Sequence, residues 1–270
     1  MRQQIYHLIR YVANELIRAT GELPTNTPEI RHAPVVPENA TYAPWLSDSY
    51  FQIAMERVWG YGAPDRLRCY ELWSLLQQSK KLSSGAIVEV GNSRGDTGCL
   101  IAQAAAYLGI PNRVYLCDKF APGQTASTSS KSIVDALVTR LRLENVQIVQ
   151  GTFPAETAAQ VDEPGFRLAH ICVDDQSAKE VLDYLWPRLV PGGVVVFRDY
   201  GTYGCADLTR LVNDAATLGD RIFIHNLNGH AVMVKLGPHN CGTRDSTSRH
   251  AAPNPNNSPC QDDCEHGPHQ

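Results

Sequence analysis

Apolar positions in the first eighteen residues recur at Ile5, Leu8, Ile9, Val12, Leu16 and Ile17. Spacings of three and four line one face of a helix, and Arg10, Asn14, Glu15 and Arg18 break any longer apolar run. The periodicity then stops in a proline-rich stretch over residues 24–44, which predicts an extended arm. Helical spacing resumes over residues 48–59 and 64–80.

From residue 86 the pattern changes. Short apolar runs at 86–91, 113–118, 146–151, 168–174 and 194–197 alternate with helical stretches at 97–108, 131–143, 155–161 and 178–189. Strands that are apolar throughout and separated by helices predict an α/β fold whose parallel sheet is covered on both faces. After a helix over 206–218 this rhythm breaks. Residues 221–225 and 230–235 flank Asn226-Leu227-Asn228-Gly229, a hairpin signal. An ordinary dinucleotide-binding fold would continue with helices between its strands. The division expected is a helix, arm and helical cap over 1–80, a ligand-binding core over 81–237, and a disordered tail over 238–270.

Composition narrows the function classes. A net charge of -4 gives no global attraction to phosphate backbones or anionic membranes, so neither nucleic acid nor membrane is an expected partner. The first helical stretch is too short and too interrupted for a membrane span or a signal peptide, which predicts a cytoplasmic protein. Five of the eight cysteines, Cys69, Cys99, Cys117, Cys172 and Cys205, fall in or beside predicted elements and read as reduced, half-buried thiols. Cys241, Cys260 and Cys264 lie with His266 and His269 in the polar tail, among residues that cannot build a core to hold metal ligands. The amphipathic first helix needs a surface for its apolar face, and a homodimer would supply one.

Candidate chemistry sits at strand ends. Glu89-Val90-Gly91-Asn92-Ser93-Arg94-Gly95 joins the first strand to its helix. A glycine turn there lets backbone approach a ligand, with helix N–H groups directed at an anionic group such as an amino-acid carboxylate; a tight turn with no ligand is the alternative. Asp118 ends the second strand, where an acid can accept hydrogen bonds from both ribose hydroxyls or serve as a turn residue. Gly151-Thr152-Phe153 follows the third strand, where the chain can pass an adenine ring or Thr152 can cap a helix. Asp174 and Asp199 end the fourth and fifth strands and can share one crevice. Two such acids can hold a divalent cation that eases deprotonation of a hydroxyl, or they can be turn acids, with Arg198 neutralising Asp199. His170 reads as a core histidine, and His225 and His230 as surface residues of the hairpin.

In these motifs the chain resembles the macrocin O-methyltransferase family, over residues 61–235. The resemblance rests on Val88-Glu89-Val90-Gly91 with Arg94-Gly95, Cys117-Asp118-Lys119-Phe120, Gly151-Thr152-Phe153, Pro191-Gly192-Gly193 and Asp199-Tyr200-Gly201. It implies a Rossmann-like class I methyltransferase fold, a small-molecule acceptor hydroxyl on a natural product or its sugar, and S-adenosylmethionine as cofactor. Glu89, Gly91, Asn92, Ser93, Arg94, Gly95, Asp118, Gly151, Thr152 and Phe153 would line the cofactor site. Asp174 would be the catalytic base and, with Asp199, a ligand to Mg2+. The chain departs from the family in having Arg198 where a second acid precedes the tyrosine, and Asp174-Asp175-Gln176 where the family has an acid-glycine-acid run. A protein of this fold that binds the cofactor for another reaction, a nicotinamide-dependent enzyme and a non-catalytic assembly protein are the competing readings.

Overall fold

The apolar runs become strands β1 (Ala86–Val90), β2 (Val114–Asp118), β3 (Val146–Gln150), β4 (Phe166–Ile171), β5 (Leu189–Arg198), β6 (Arg221–His225) and β7 (His230–Lys235). A computed structural model of the protein describes residues 42–59, 65–91, 94–120 and 131–237. The first helical stretch, the proline-rich arm up to residue 41 and the tail from residue 238 lie outside the described residues. Helices α1 (Ser49–Val58) and α2 (Arg66–Ser79) precede the first strand, and α3 (Asp96–Tyr107), α4 (Lys131–Leu141), α5 (Asp175–Arg188) and α6 (Ala206–Ala216) run between the strands.

The seven strands form one sheet in the order β3-β2-β1-β4-β5-β7-β6. The first five are parallel, and β7 runs antiparallel to both β5 and β6. This is the Rossmann-like α/β sheet with an antiparallel C-terminal hairpin that the pattern predicts, preceded by a helical cap.

Alternation along each strand sends neighbouring side chains to opposite faces. Ile87, Leu116, Leu168, Val196 and Val232 join one core layer with Phe51, Leu72, Trp73 and Leu76 of α1 and α2 and with Leu100 and Ile101 of α3. Val88, Ala169, Val195 and Met233 pack on the other face with Val181, Leu185 and Trp186 of α5 and Val212 of α6. Each large side chain buried this way contributes ~1.5–3 kcal/mol. Aspartates set three helix starts: Asp48, Asp65 and Asp174 accept from the N–H of Phe51, Arg68 and Ser177. Asp48 also accepts from Trp73 Nε1 at 3.0 Å, which ties α1 to α2.

Several boundaries differ from the sequence reading: the fifth strand, expected over 194–197, spans Leu189–Arg198, and the helix expected over 178–189 spans Asp175–Arg188. The helix expected over 155–161 is a series of turns with a short 3-10 segment at Ala158–Gln160. Glu156 folds back to accept the Thr152 N–H at 2.7 Å, and seven residues are too few to nucleate a stable helix. The fourth strand begins at Phe166 rather than 168, because Arg167 is buried yet fully engaged. Its guanidinium donates to Gly85 O, Ser79 O and Asn112 Oδ1. No helix among the described residues is long and apolar enough to cross a membrane.

Candidate functional site

The strand order reverses between β1 and β4: β2 and β3 lie to one side, β4 and β5 to the other. In open α/β sheets a crevice opens at such a switch point, outside the carboxyl ends of the strands. Gly91 stands there at φ +86°, with its N–H donating to Cys117 O at 2.9 Å. A Cβ on Gly91 would lie 2.5 Å from Cys172 O, so only glycine fits. Asn92 and Ser93 lie outside the described residues. Gly95 caps α3 in the left-handed conformation, φ +81°, with no capping side chain of its own, while Asp96 Oδ1 accepts the Thr97 N–H at 2.9 Å. The Nε of Arg94 is buried and has no hydrogen-bond partner among the described residues, a donor that an anionic ligand atom would satisfy.

Beside this turn, Asp118 ends β2. Its Oδ1 accepts the N–H of Phe120 at 3.0 Å, and its backbone carbonyl accepts from Gly151 N at 3.0 Å. The ends of β2 and β3 therefore present Asp118, Gly151 and Thr152 together. Phe153 turns away: its ring is buried in the opposite core layer, edge-on to Tyr184 at 5.1 Å between centroids. It packs rather than faces the crevice.

On the other side stand Asp174 and Asp199. Asp174 caps α5, and its carboxyl is held below the usual value chiefly by the hydrogen bond from Ser177. Asp199, at φ +65°, accepts from Arg68 Nη1 at 2.9 Å on one oxygen and from Arg198 Nε at 3.0 Å on the other. Two guanidiniums thus occupy the carboxylate that the resemblance assigns to magnesium. A hard cation needs oxygen ligands free to face it, and the Asp199 carboxylate between two fixed positive charges does not fit that group.

The structure adds a polar network under α2 that the sequence reading missed. His170 Nδ1 lies 2.9 Å from Glu89 Oε1, and Cys172 Sγ lies 3.3 Å from His170 Nε2. The His170 and His230 rings meet edge to face, 5.5 Å between centroids. His230 Nδ1 contacts Glu71 Oε2 at 3.0 Å, and Glu71 also accepts from Asn226 and Asn228. Arg68 Nε donates to Asn228 O at 2.7 Å. Burial above all, with His230, Arg198 and Arg68 nearby, holds His170 well below its ordinary value, so the imidazole is neutral and donates to Glu89. Burial, with Glu89 adding to it, pushes the Cys172 thiol well up.

Glu89, expected beside the cofactor, is thus buried and turned to His170. His230, expected at the surface, is 1% exposed because antiparallel pairing sets it opposite Arg198 in the sheet. His225 remains exposed. One signal was available: Glu89 is the only charged residue in β1, and His170 is a polar position near the end of β4, where β1–β4 pairing sets Glu89 against His170.

Residues 88–200 match the family described as "Methyltransferase domain". No curated protein sequence matches the chain. Among solved structures, the O-methyltransferase NovP has a TM-score of 0.55 at 17% identity, covering 63% of this chain and 80% of NovP. A candidate caffeoyl-CoA O-methyltransferase from Staphylococcus aureus also has a TM-score of 0.55, at 15% identity, over 70% of this chain and 94% of that one. A candidate O-methyltransferase from Klebsiella pneumoniae has 0.52 at 11% identity, over 70% and 91%. With the strand order and the antiparallel hairpin, these likenesses identify the fold as that of the class I methyltransferases.

Proposed function

We propose that the protein is an S-adenosylmethionine-dependent methyltransferase that methylates a hydroxyl of a small molecule, a natural product or its sugar. The observation that carries the reading is the switch-point constellation: Gly91 and Gly95 in left-handed conformations, the unpartnered Arg94 Nε, and Asp118 at the neighbouring strand end. These residues fit the cofactor. The α3 N-terminus and Arg94 would receive its carboxylate, Asp118 its ribose hydroxyls, and the backbone of Gly151 and Thr152 its adenine edge. When bound, the cofactor supplies a methyl group activated by a sulfonium.

The chain must hold the acceptor oxygen in line with that methyl group, and positioning of this kind accounts for much of the rate. Asp174 can take the hydroxyl proton on the oxygen that does not cap α5. With the Asp199 carboxylate held by Arg68 and Arg198, we read the reaction as independent of magnesium. The choice of a sugar or natural-product hydroxyl rests on the macrocin-family motifs.

The test is transfer of labelled methyl from S-adenosylmethionine to a panel of glycosylated and unglycosylated polyhydroxy compounds. Asp174→Asn, which keeps the helix cap, should lower kcat by about a hundredfold or more with KM little changed. A cofactor that binds but labels no acceptor would turn the reading toward a non-methylating reaction.

A further inference from the structure

We infer that β6, the free edge of the sheet, pairs with β6 of a second copy of this chain, joining two sheets into one across a two-fold axis at Phe223. β6 ends the strand order, and among the described residues no strand lies beyond it. Ile222 and Ile224 are 51% and 44% exposed on this strand, and Leu218 and Leu227, both more than half exposed, stand just outside its two ends. The isoleucines lie opposite Val234 and Val232 of β7, on the sheet face that carries α1, α2 and α3 further in. The other edge, β3, is different. Its apolar residues are buried or half-buried, and Gln147 bonds sideways to Arg113 and to Gln160 O. Soluble monomers blunt a bare apolar edge with lysine, proline or a bulge. β6 reads Arg-Ile-Phe-Ile-His and pairs with β7 without a register shift.

The backbone sets the register of the pairing. Successive residues of a strand turn their N–H and C=O groups to opposite sides. Leu236 N donates to Asp220 O at 2.9 Å and Asn226 N to His230 O at 3.1 Å, so the even-numbered residues of this stretch bond to β7. The N–H and C=O groups of Arg221, Phe223 and His225 therefore face outward. An antiparallel copy aligned with Phe223 on Phe223 uses all of them: Phe223 exchanges both bonds with its counterpart, and Arg221 exchanges both with the partner's His225. A shift of two residues either way leaves one of the three without a strand partner. The same alignment sets Ile222 directly opposite the partner's Ile224, at the closer spacing of ~4.5 Å between Cα atoms. Leu218 of one copy then falls beside the partner's hairpin turn, which carries Leu227.

A second copy suits this edge better than other occupants. A helix laid on the face would cover Ile222 and Ile224 but leave the outward backbone groups to water, whereas a strand pairs those groups and covers the isoleucines together. The two-fold axis makes the patch complementary to itself. Arg221 enters already compensated, donating to Asp220 Oδ1 at 2.7 Å with its guanidinium 3.8 Å from the centre of the Trp186 ring. A specific interface buries at least ~1,000 Å² in all, and two strand edges with four half-exposed apolar side chains from each copy are of that scale. The pairing does not depend on methyl transfer, because β5 and β7 separate β6 from the switch point.

The experiment is sedimentation velocity of the full chain under reducing conditions, over a wide micromolar range. A dimer of twice the chain mass is expected, dissociating on dilution. Ile222→Lys combined with Ile224→Lys should weaken dimerisation at least about tenfold, because lysines blunt an edge. Both positions are exposed in the single copy, and far-UV circular dichroism verifies the fold of the variant. Cross-linking reads the register in a chain carrying Cys241→Ser, Cys260→Ser and Cys264→Ser. Ile222→Cys mixed with Ile224→Cys should form a disulfide between copies on oxidation, identified by peptide mass, since facing Cβ atoms are ~4.5–5.5 Å apart. Either variant alone should link far less, its counterpart being the diagonal neighbour at ~7–8 Å. Should the lysine variant unfold, the cross-linking pattern decides alone. A monomer at every concentration, a dimer indifferent to the lysine substitutions, or equal linking of mixed and single variants would each overturn the inference.

Discussion

Arg68 joins α2 to the far side of the crevice, and its removal tests whether Asp199 is held as a guanidinium partner. The side chain makes two directed contacts: Nη1 to Asp199 Oδ1 at 2.9 Å and Nε to Asn228 O at 2.7 Å. The ion pair is partly exposed, with side chains 26% and 32% accessible, so it is worth ~0.5–1 kcal/mol rather than the value of a buried pair. The charged hydrogen bond to the hairpin carbonyl adds ~1–1.5 kcal/mol after the same discount. Arg68→Ala should therefore destabilise the fold by about 2 kcal/mol, lowering Tm by roughly 4–8 °C for a domain of this size. In urea denaturation, Asp199→Asn alone should cost less than Arg68→Ala, because the contact to Asn228 survives. The double variant should fall short of the sum by about 0.5–1 kcal/mol. Additivity within ~0.3 kcal/mol would show that Arg68 and Asp199 do not interact, and the argument against a magnesium ligand at Asp199 would lose its basis.

Gly91→Ala places a methyl group 2.5 Å from Cys172 O at φ +86°; it should cost about 2–4 kcal/mol in thermal or urea unfolding, and a neutral result would mean the turn relaxes freely. His170, kept neutral by burial below its ordinary value of 6.5, takes up a proton more readily in the unfolded chain. Its contribution to stability is complete above about pH 6.5 and is lost as pH falls from there through the lower folded value. Urea midpoints of the metal-free protein should therefore drop between about pH 7.5 and about pH 5, and His170→Asn should flatten that drop; an equal slope in both proteins would contradict it.

How much of this was legible depends on whether the deciding contact was local. The strands were readable because parallel strands covered on both faces are apolar along their length, as Ala86–Val90 and Val114–Asp118 are. The hairpin was readable because Asn226-Leu227-Asn228-Gly229 sits between two apolar runs. Arg167 hid the start of β4, since its three acceptors lie 55 to 88 residues away in sequence. At the site, Gly91 and Asp118 could be located because strand ends mark the crevice. The partners of Asp199 could be only half anticipated: Arg198 is its neighbour, but Arg68 stands 131 residues earlier on another helix. His230 looked like a surface residue because nothing in the sequence states that β7 inserts between β5 and β6.

The central claim is that the crevice outside the carboxyl ends of β1 and β2, at the β1/β4 switch point, binds S-adenosylmethionine without help from magnesium. Calorimetric titration of the cofactor and its demethylated product, with magnesium and with chelator, tests it most directly. The account predicts micromolar binding that is unchanged by magnesium and abolished by Asp118→Ala in a variant that still folds. Binding that requires magnesium, or that survives Asp118→Ala unaltered, would contradict it.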